Sequence, residues 1–278
     1  KASMSRMMIQ AAVTMGQLQH KMDTIGHNLA NSQTPGYKTR QADFSSLLFQ
    51  QINNMTHPAN QTGRFTPDGI RVGSGAKLGS INMNLSNGAV VETGRPLDVA
   101  LRQNHHFFEV QVTDGNVTET RYTRDGAFYL NPINEDTHLL TTKDGHAVLG
   151  TNGPIEIASG FDSVKIGQDG QVLVQRGDQT EVSGTLSVYN VDKPRLMEAT
   201  GQNLFRLPNL AELGYNNEDV MQPVELNTNI LKSHALENSN VNLSEQMTDL
   251  ILTQRSYQLN ARTISMGDQM MGLVNQLR

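Results

Sequence analysis

The sequence of 278 residues lacks cysteine and tryptophan, and aromatic residues make up only 5% of it. Without cysteine, the chain forms neither a disulfide bond nor a zinc site with thiolate ligands. The small aromatic fraction limits the apolar surface that a single deep core can bury. A chain of this length and polarity is expected to form one large domain or two smaller ones.

Neither sign of charge dominates, since 22 Lys and Arg residues stand against 27 Asp and Glu residues, for a net charge of −5. The composition therefore gives no support for nucleic acid or a lipid surface as a partner. No apolar run approaches the length of a membrane span. The N-terminal segment is amphipathic throughout, rather than basic and then apolar, so we expect no cleavable secretory signal peptide.

The C-terminal stretch carries apolar residues at alternating steps of four and three. Asn242 followed by Glu245 is typical of a helix start, because the Asn side chain accepts hydrogen bonds from first-turn amides. Gln254 and Asp268 lie on the same stripe, so it is not purely apolar. The stripe leaves a helix face that needs a partner. Its predicted interface residues are Leu243, Met247, Leu250, Tyr257, Ala261, Ile264 and Met271.

The N-terminal stretch follows the same alternation and predicts a helix over residues 5–30. Methionine is frequent on this stripe and provides an adaptable packing surface. Two such helices at opposite chain ends predict a discontinuous, coiled-coil-like terminal helical domain, with the middle of the chain looped out between them. The predicted interface residues of the first helix are Met8, Met15, Leu18, Met22, Ile25 and Leu29.

Two connecting segments flank the middle of the chain. Pro35-Gly36 ends the first helix and suits the centre of a type II turn. A short apolar run at residues 43–51 predicts one or two further helical turns, whereas residues 53–79 are rich in Asn, Thr, Pro and Gly and predict extended or irregular chain. Residues 211–233 are similarly polar, as expected for a return arm.

The period of the apolar residues changes to two between residues 97 and 191, as in Phe108, Val110 and Val112. Asp-Gly pairs at residues 114–115, 125–126, 144–145 and 169–170 separate these runs, and Asp-Gly is a strong hairpin signal. The prediction is an α+β fold with a central antiparallel β-rich domain. The predicted boundaries are 1–38 for the N-terminal helix and the turn after it, 39–92 for an extended arm, 93–208 for the β domain, 209–236 for the return arm and 237–278 for the C-terminal helix.

Residues suited to catalysis or metal binding are not grouped in the sequence. His105 and His106 are adjacent, and neighbouring residues of a strand point to opposite faces, so they do not share one ion readily. The other histidines lack ligand spacing, and the Asp-Gly sites lack the spaced acidic ligands of a calcium loop. We therefore predict no enzyme activity, no catalytic or metal residues, and no cofactor.

Several strings of residues resemble the bacterial flagellar rod and hook protein family, in the order expected for it. Residues 28–38 are similar to its N-terminal signature, in which we mark Asn28, Asn31, Thr34, Pro35, Gly36, Tyr37 and Lys38. Residues 236–243 and 253–260 resemble its C-terminal end, and residues 95–100, 107–110, 122–126, 148–150 and 184–186 resemble its middle. The family commonly has a glycine-rich turn where this chain has Asn104, His105 and His106.

The resemblance implies a structural subunit of the flagellar basal-body rod, most like the distal rod protein, which polymerises into the axial drive shaft between motor and hook. The implied partners are further copies of the chain in a helical homopolymer, other rod subunits, the hook protein and the flagellar type III export apparatus. The implied location is the basal body in the cell envelope. Neither nucleic acid nor membrane insertion is expected.

Three alternatives remain at the level of sequence. One is a related proximal rod or hook-type subunit of the same axial family. Another is a secreted, cell-wall-acting β-domain protein that oligomerises through its helical ends. The last is a monomeric ligand-binding β module, which would need a deep pocket rather than a convex surface decorated with turns.

Overall fold

The computed structural model describes residues 2–46, 49–52, 70–73, 76–115, 117–201, 203–210, 214–225 and 230–276. The chain divides into two compact units. The helical unit comprises Lys1–Leu29, Arg40–Asn82 and Asn242–Arg278, and the β unit comprises Ala30–Thr39 and Met83–Val241. The 28–38 signature is therefore divided between the two units.

Two long helices belong to the ends of the chain, α1 at Ala2–Ala30 and α2 at Leu243–Gln276. The first begins three residues before the predicted start. The second begins directly after Asn242, whose Oδ1 accepts hydrogen bonds from the amides of Ser244 at 3.2 Å and Glu245 at 3.4 Å. The side-chain acceptor thus satisfies first-turn amides that have no partner inside the helix, as predicted.

The described residues between the two helices of the helical unit include strands that form two small sheets. The prediction of helical turns at residues 43–51 is wrong for the residues that the structure describes, because residues 47–48 lie outside them and the others pair as strands with distant segments. Cross-strand pairing such as Gln50↔Val72 overrides a short apolar run that has no helical period of its own. In the segment predicted as extended, residues 53–69 and 74–75 lie outside the described ranges. The strands are β1 (Arg40–Ser46) paired with β4 (Ala76–Met83), and β2 (Phe49–Ile52) paired with β3 (Ile70–Gly73).

The β unit consists mainly of short antiparallel strands. They are β5 (Val90–Glu92), β6 (Val99–Leu101), β7 (His106–Asp114), β8 (Val117–Thr123), β9 (Phe128–Asn134), β10 (Thr137–Thr142), β11 (Ala147–Gly150), β12 (Gly153–Pro154), β13 (Glu156–Ala158), β14 (Ser163–Ile166), β15 (Gln171–Arg176), β16 (Gln179–Thr185), β17 (Val188–Val191), β18 (Glu198–Gly201), β19 (Leu204–Arg206), β20 (Met221–Pro223), β21 (Leu231–Ser233) and β22 (Ala235–Glu237). Short 3-10 helices lie at Pro194–Leu196 and Asn217–Asp219. The α+β fold class is confirmed at this level.

One sheet dominates the β unit, with the strand order β13-β10-β11-β7-β8-β19-β18 and with β9, β12, β17 and β20 paired alongside that path. Its centre is the β7–β8 hairpin, in register Val110↔Arg121. A second sheet contains β14, β15 and β16. The last two strands before α2 pair separately, β21 with β6 and β22 with β5.

Three of the four Asp-Gly pairs form hairpin turns as predicted. Gly115, Gly145 and Gly170 have positive φ and join β7–β8, β10–β11 and β14–β15. The fourth prediction is wrong, because Gly126 joins β8 to β9, which do not pair with each other. At Gly126 the absence of a side chain serves close packing instead, since a Cβ would collide with the Val99 carbonyl oxygen.

The apolar core of the β unit lies on both faces of β7, because successive strand residues point to opposite sides. Phe108 packs edge-to-face on Phe128, with the ring centres 5.2 Å apart, within the larger cluster of buried residues. Phe107 packs on Phe205 at 5.7 Å within the smaller cluster, which includes Tyr122. His106 is buried at the start of β7, whereas His105 is exposed in the turn before it, so the two do not share a strand as the sequence argument assumed.

Candidate assembly site

The segment that follows α1 makes a tight turn whose geometry accounts for its residues. The Tyr37 amide donates to the Thr34 carbonyl at 3.2 Å, and Gly36 has a φ of +67°. Proline first and a positive-φ glycine second are the central residues of a type II turn, so the predicted turn is confirmed. A Cβ on Gly36 would lie 2.5 Å from the backbone carbonyl of Arg124. Both the backbone conformation and the space therefore require glycine.

Three charged side chains meet in the interior of the β unit, and we call Lys38, Arg124 and Glu237 the buried triad. Lys38 Nζ donates to Glu237 Oε1 at 2.6 Å. Arg124 donates to Glu237 Oε2 from Nη2 at 2.8 Å and from Nε at 3.1 Å. The exposed fractions of the three side chains are 1%, 0% and 1%. Charges so deeply buried require partners, because an unpaired ion away from water is strongly unfavourable.

The buried triad places two cations against one carboxylate. The pKa of Lys38 is lowered from 10.5 to about 8, first because burial removes water from the ammonium and second because the Arg124 cation lies close. The Glu237 carboxylate acts in the opposite direction. Burial also lowers the pKa of Arg124. Excess positive charge is offset by backbone acceptors, which are the carbonyls of Ser86 for Lys38 and of Gln103, Asn104 and His106 for Arg124.

Backbone contacts hold the segment after α1 beside the segment before α2. The Gly36 amide donates to the Glu237 carbonyl at 2.7 Å, and the Asn240 amide donates to the Tyr37 carbonyl at 3.4 Å. The Asn240 Oδ1 accepts from the Thr39 amide at 2.8 Å and from its hydroxyl at 2.7 Å. These contacts, all within the β unit, join residues about 200 positions apart. Together with the buried triad they form what we call the signature junction, residues 36–39 and 237–240 with Arg124.

The remaining signature residues lie at the turn or in the helical unit. Thr34 Oγ1 donates to Asn31 Oδ1 at 3.2 Å, and Asn203 Nδ2 donates to the Pro35 carbonyl at 3.0 Å. The Tyr37 side chain is buried. The structure thus places Pro35, Gly36, Tyr37 and Lys38 within the β unit, which the pattern of residues did not specify.

Asn28 is the polar centre of the helical unit. Its Nδ2 donates to the Arg40 carbonyl at 2.8 Å, and its Oδ1 accepts from the Arg40 amide at 2.9 Å. Nδ2 also donates to Gln246 Oε1 on α2 at 2.9 Å. The Asn28 side chain therefore satisfies both backbone groups of Arg40 and also bonds to the other helix. These three hydrogen bonds explain how a polar residue is accommodated at this buried position.

The predicted stripe of α1 lies on its less exposed face. Ile25 is buried, and Met8, Met15, Leu18, Met22 and Leu29 are half-buried. Met8 packs against Gly267 of α2, with its Cγ and Sδ 3.0 Å from the place that a Cβ there would occupy. The contacts Met8 to Gly267 and Asn28 to Gln246 link the two helices in antiparallel order.

The helix α2 buries a different row of residues from the one that its apolar pattern predicts. The least exposed row repeats every seven residues and is polar or small, with Gln246, Thr253 and Gly267 buried and Asn260 half-buried. The predicted stripe lies beside it or outside it. Leu250, Tyr257, Ala261, Ile264 and Met271 are half-buried, whereas Leu243 and Met247 are exposed.

A second apolar row on α2, missed in the sequence analysis, is more exposed still. Leu252, Leu259, Met266 and Leu273 repeat strictly every seven residues and are 55–61% exposed. We call these four residues the outer row. The seven-residue spacing of the outer row is present in the sequence, beside the four–three spacing of the predicted stripe. Arg124, Glu237 and Asn240 were also missed as site residues, because no local period signals that they meet.

A polar groove on the β unit bears on the ligand-binding alternative. It has a volume of about 460 Å³ and is lined in part by Thr120, Asn209 and Tyr215. Within the described ranges, no group of three or more His, Cys, Asp or Glu side chains is placed to hold a metal ion. No helix in that part of the chain is long and apolar enough to cross a membrane.

The class that this arrangement defines is a structural α+β protein, in which polar contacts tie distant chain segments together and apolar rows remain on the terminal helices. Three family models match successive parts of the chain. They are described as flagella basal body rod protein for residues 9–38, flagellar hook protein FlgE/F/G D1 domain for residues 103–174, and flagellar basal body rod FlgEFG protein C-terminal for residues 232–277.

Whole-length relatives agree with these matches. The chain is 39% identical to the flagellar hook-basal body complex protein FlhP of Bacillus subtilis (strain 168), over 99% of this chain and 100% of the relative. It is 32% identical to the flagellar basal-body rod protein FlgG of Caulobacter vibrioides over 96% and 97% of the two chains, and 33% identical to FlgG of Bacillus subtilis over 95% and 96%. The chain belongs to the flagellar basal-body rod and hook protein family, a family of structural proteins of the bacterial flagellum.

Proposed function

We propose that the chain is a structural subunit of the flagellar basal-body rod, which polymerises into the axial drive shaft and is required for motility. The observation that carries this proposal is the full-length similarity to relatives named flagellar basal-body rod protein and hook-basal body complex protein. The apolar rows of α2 support it, because large exposed apolar side chains in register are typical of surfaces that meet other helices.

The helices α1 and α2 form the terminal helical domain of the subunit in this proposal. The contacts Asn28 to Gln246 and Met8 to Gly267 support their association. The predicted stripes supply assembly interfaces, since their half-buried residues still offer surface that a single chain does not cover. Ordering these helices costs conformational entropy, which burial against neighbouring subunits offsets.

The distal part of the rod is the proposed position, with a proximal rod or hook-type position as the alternative within the family. The proposed partners are further copies of this chain, other rod subunits and the hook protein, after passage through the flagellar type III export apparatus. A polymer of this kind grows by heterologous contacts, in which one surface meets a different surface on the next copy. No catalytic residue enters the proposal.

Fractionated basal bodies test the proposal directly. The chain, carrying an epitope tag in its source bacterium, is expected in the rod fraction, and imaging of the tag gives its axial position. Its absence from purified basal bodies of motile cells would overturn the proposal.

Single substitutions on the predicted stripe of α2 test how the subunit assembles. Leu250→Asp or Ile264→Asp is expected to abolish motility while leaving the β unit folded, because a charge on a half-buried face opposes helix packing. Gln258→Asp is the matched control, since Gln258 is an exposed polar residue of the same helix that lies outside the predicted stripe. Normal rods in a motile Leu250→Asp strain would count against the role of this stripe.

A further inference from the structure

The outward faces of α1 and α2 differ in a complementary way. The exposed face of α1 follows a three–four alternation from Ile9 to Ala30, and most of it is small or polar. Its residues are Ile9, Ala12, Gly16, Gln19, Asp23, Gly26 and Ala30, which we call the small row. The outer row of α2 carries three leucines and a methionine. The exposed face of α1 thus carries mostly small residues, and that of α2 carries large apolar side chains.

The glycines of the small row meet no close neighbour among the described residues. A Cβ at Gly16 or Gly26 would meet no atom within 4 Å among the described residues. Both have ordinary helical backbone, so neither is needed for a positive φ. Each glycine in a helix interior costs about 1 kcal/mol relative to alanine. A close approach by another helix accounts for that cost, because glycine lets two backbones come nearer than any other residue does.

The two rows also match in length and in charge. Each covers 21 residue steps, Ile9 to Ala30 and Leu252 to Leu273, or about 32 Å of helix at 1.5 Å per residue. Arg255 and Arg262 lie three positions after Leu252 and Leu259 and are exposed beside the outer row. Asp23 is exposed within the small row. A cationic flank thus faces an anionic position when the rows meet.

We propose that the outer row of α2 in one copy of the chain packs on the small row of α1 in another copy. Large side chains fill the shallow positions at Gly16 and Gly26, and Arg255 and Arg262 approach Asp23. The contact joins two different surfaces, which is the kind of contact through which a polymer grows when each copy binds the next in the same way. This inference rests on the proposed function and names the surfaces that carry it.

A charge exchange is the first test. We expect the Asp23→Arg chain to be at least about tenfold less abundant in purified basal bodies, and we expect the same of the chain with Arg255→Asp and Arg262→Asp. A chain with all three substitutions is expected to return to within about twofold of the wild-type amount, because the attraction is re-formed with the signs reversed. Wild-type chain present in basal bodies, with the combined variant no better than either parent, would overturn this inference alone. Wild-type chain absent from basal bodies would overturn the proposed function instead.

A size series at Gly16 separates docking from folding. Gly16→Ala is expected to raise helicity and keep incorporation, whereas Gly16→Leu keeps the monomer's circular dichroism and urea midpoint but lowers incorporation at least about tenfold, because the neighbouring large side chain no longer fits. Gly272→Leu is the control, since Gly272 on α2 is likewise exposed with nothing within 4 Å and belongs to neither row. Equal incorporation of the Gly16→Ala and Gly16→Leu chains would overturn the inference.

Disulfide trapping identifies the partner surface. Because the chain has no native cysteine, every disulfide between two copies forms at an introduced cysteine. Chains with a single cysteine at Ala12, Gly16 or Gly26 are co-expressed with chains carrying one at Leu252, Leu259 or Met266, and isolated basal bodies are oxidised. A disulfide-linked dimer containing one chain of each kind supports the contact. Cross-linking only between two α2 cysteines would show that outer rows of two copies pack on each other, and it would overturn the inference.

Discussion

The two units of this protein use opposite chemistry to hold signature residues against the C-terminal part of the chain. In the β unit, Lys38 meets Glu237 in a buried ionic cluster that includes Arg124. In the helical unit, Asn28 meets Gln246 through a neutral amide contact. The two contacts therefore differ in how much a substitution is expected to cost. A buried charge that loses its partner is costly, whereas a neutral amide that loses one contact forfeits much less.

The largest effect is expected from Glu237→Leu. The substitution leaves Lys38 and Arg124 buried without their carboxylate, and removal of one partner from a buried ionic cluster costs about 3–5 kcal/mol. The free energy of unfolding in urea, followed by circular dichroism, measures the loss. Glu198→Leu is the control, because its pair with Arg206 is about half exposed and such pairs contribute about 0–1 kcal/mol. Equal losses in the two variants would show that the buried triad is no more important than a surface pair.

Gly36→Ala comes next and tests the backbone side of the signature junction. Alanine is disfavoured at a φ of +67°. Its Cβ would also lie 2.5 Å from the Arg124 backbone, and the collision is relieved only if the backbone of the β unit shifts. We expect a loss of about 2–4 kcal/mol in unfolding free energy, combining positive-φ strain with displaced backbone. Gly94→Ala isolates the strain, because Gly94 has a φ of +71° with nothing within 4 Å. A Gly36→Ala loss no larger than that of Gly94→Ala would contradict the steric argument.

Asn28→Ala tests the neutral contact of the helical unit and should cost less. It leaves the Arg40 amide and carbonyl without their side-chain partners. Because Arg40 is half-buried, water replaces part of the lost hydrogen bonding, and we expect a total loss of about 1–2 kcal/mol. Hydrogen exchange of the Arg40 amide measures the local opening, and far-ultraviolet circular dichroism measures helix content. Asn131→Ala, at an exposed position of β9, is expected to change neither. Unaltered protection of Arg40 in the Asn28→Ala chain would argue that other contacts suffice.

The dependence on pH gives the most gradual effect. The folded-state pKa of Lys38 is about 8, below its ordinary 10.5, so between these values the unfolded chain retains a proton that the folded chain has released. Stability therefore rises with pH across this window, by at most about 1.4 kcal/mol per pH unit, relative to a chain without the group. Below pH 8 the contribution is constant. The free energy of unfolding in urea is measured for the wild-type and Lys38→Met chains at pH 8, 9 and 10. Parallel plots of this free energy against pH for the two chains would contradict the lowered pKa.

The β-rich middle was predictable because its signals are local. The alternation around Phe108, Val110 and Val112 defines a strand by itself, and the Asp-Gly turns at Gly115, Gly145 and Gly170 require only the residues that flank them. The turn at Gly126 was mispredicted for the same reason. Its glycine is required by the Val99 carbonyl of another strand, and no property of the adjacent residues distinguishes that requirement from a hairpin.

The two helices at the ends of the chain were also predictable, whereas which of their faces are buried was not. Heptad spacing identified α1 and α2, but on α2 the buried row is Gln246, Thr253, Asn260 and Gly267, which no hydrophobic pattern selects. Amide contact with Asn28 and packing by Met8 place that row inward. Apolar residues on the other faces of α2 remain available to neighbouring chains. The apolar spacing therefore predicted the helix correctly but only part of what it contacts.

The α+β class, the two terminal helices, three Asp-Gly hairpin turns and the family resemblance could all be predicted from the sequence, since each of these depends on period or on adjacent residues. Tertiary structure decided that Lys38, Arg124 and Glu237 share one buried site, although 199 positions separate Lys38 from Glu237. Tertiary structure also decided which row of α2 turns inward. Charge pairing and close packing act through space, and a chain carries no local signal for a contact that only folding creates.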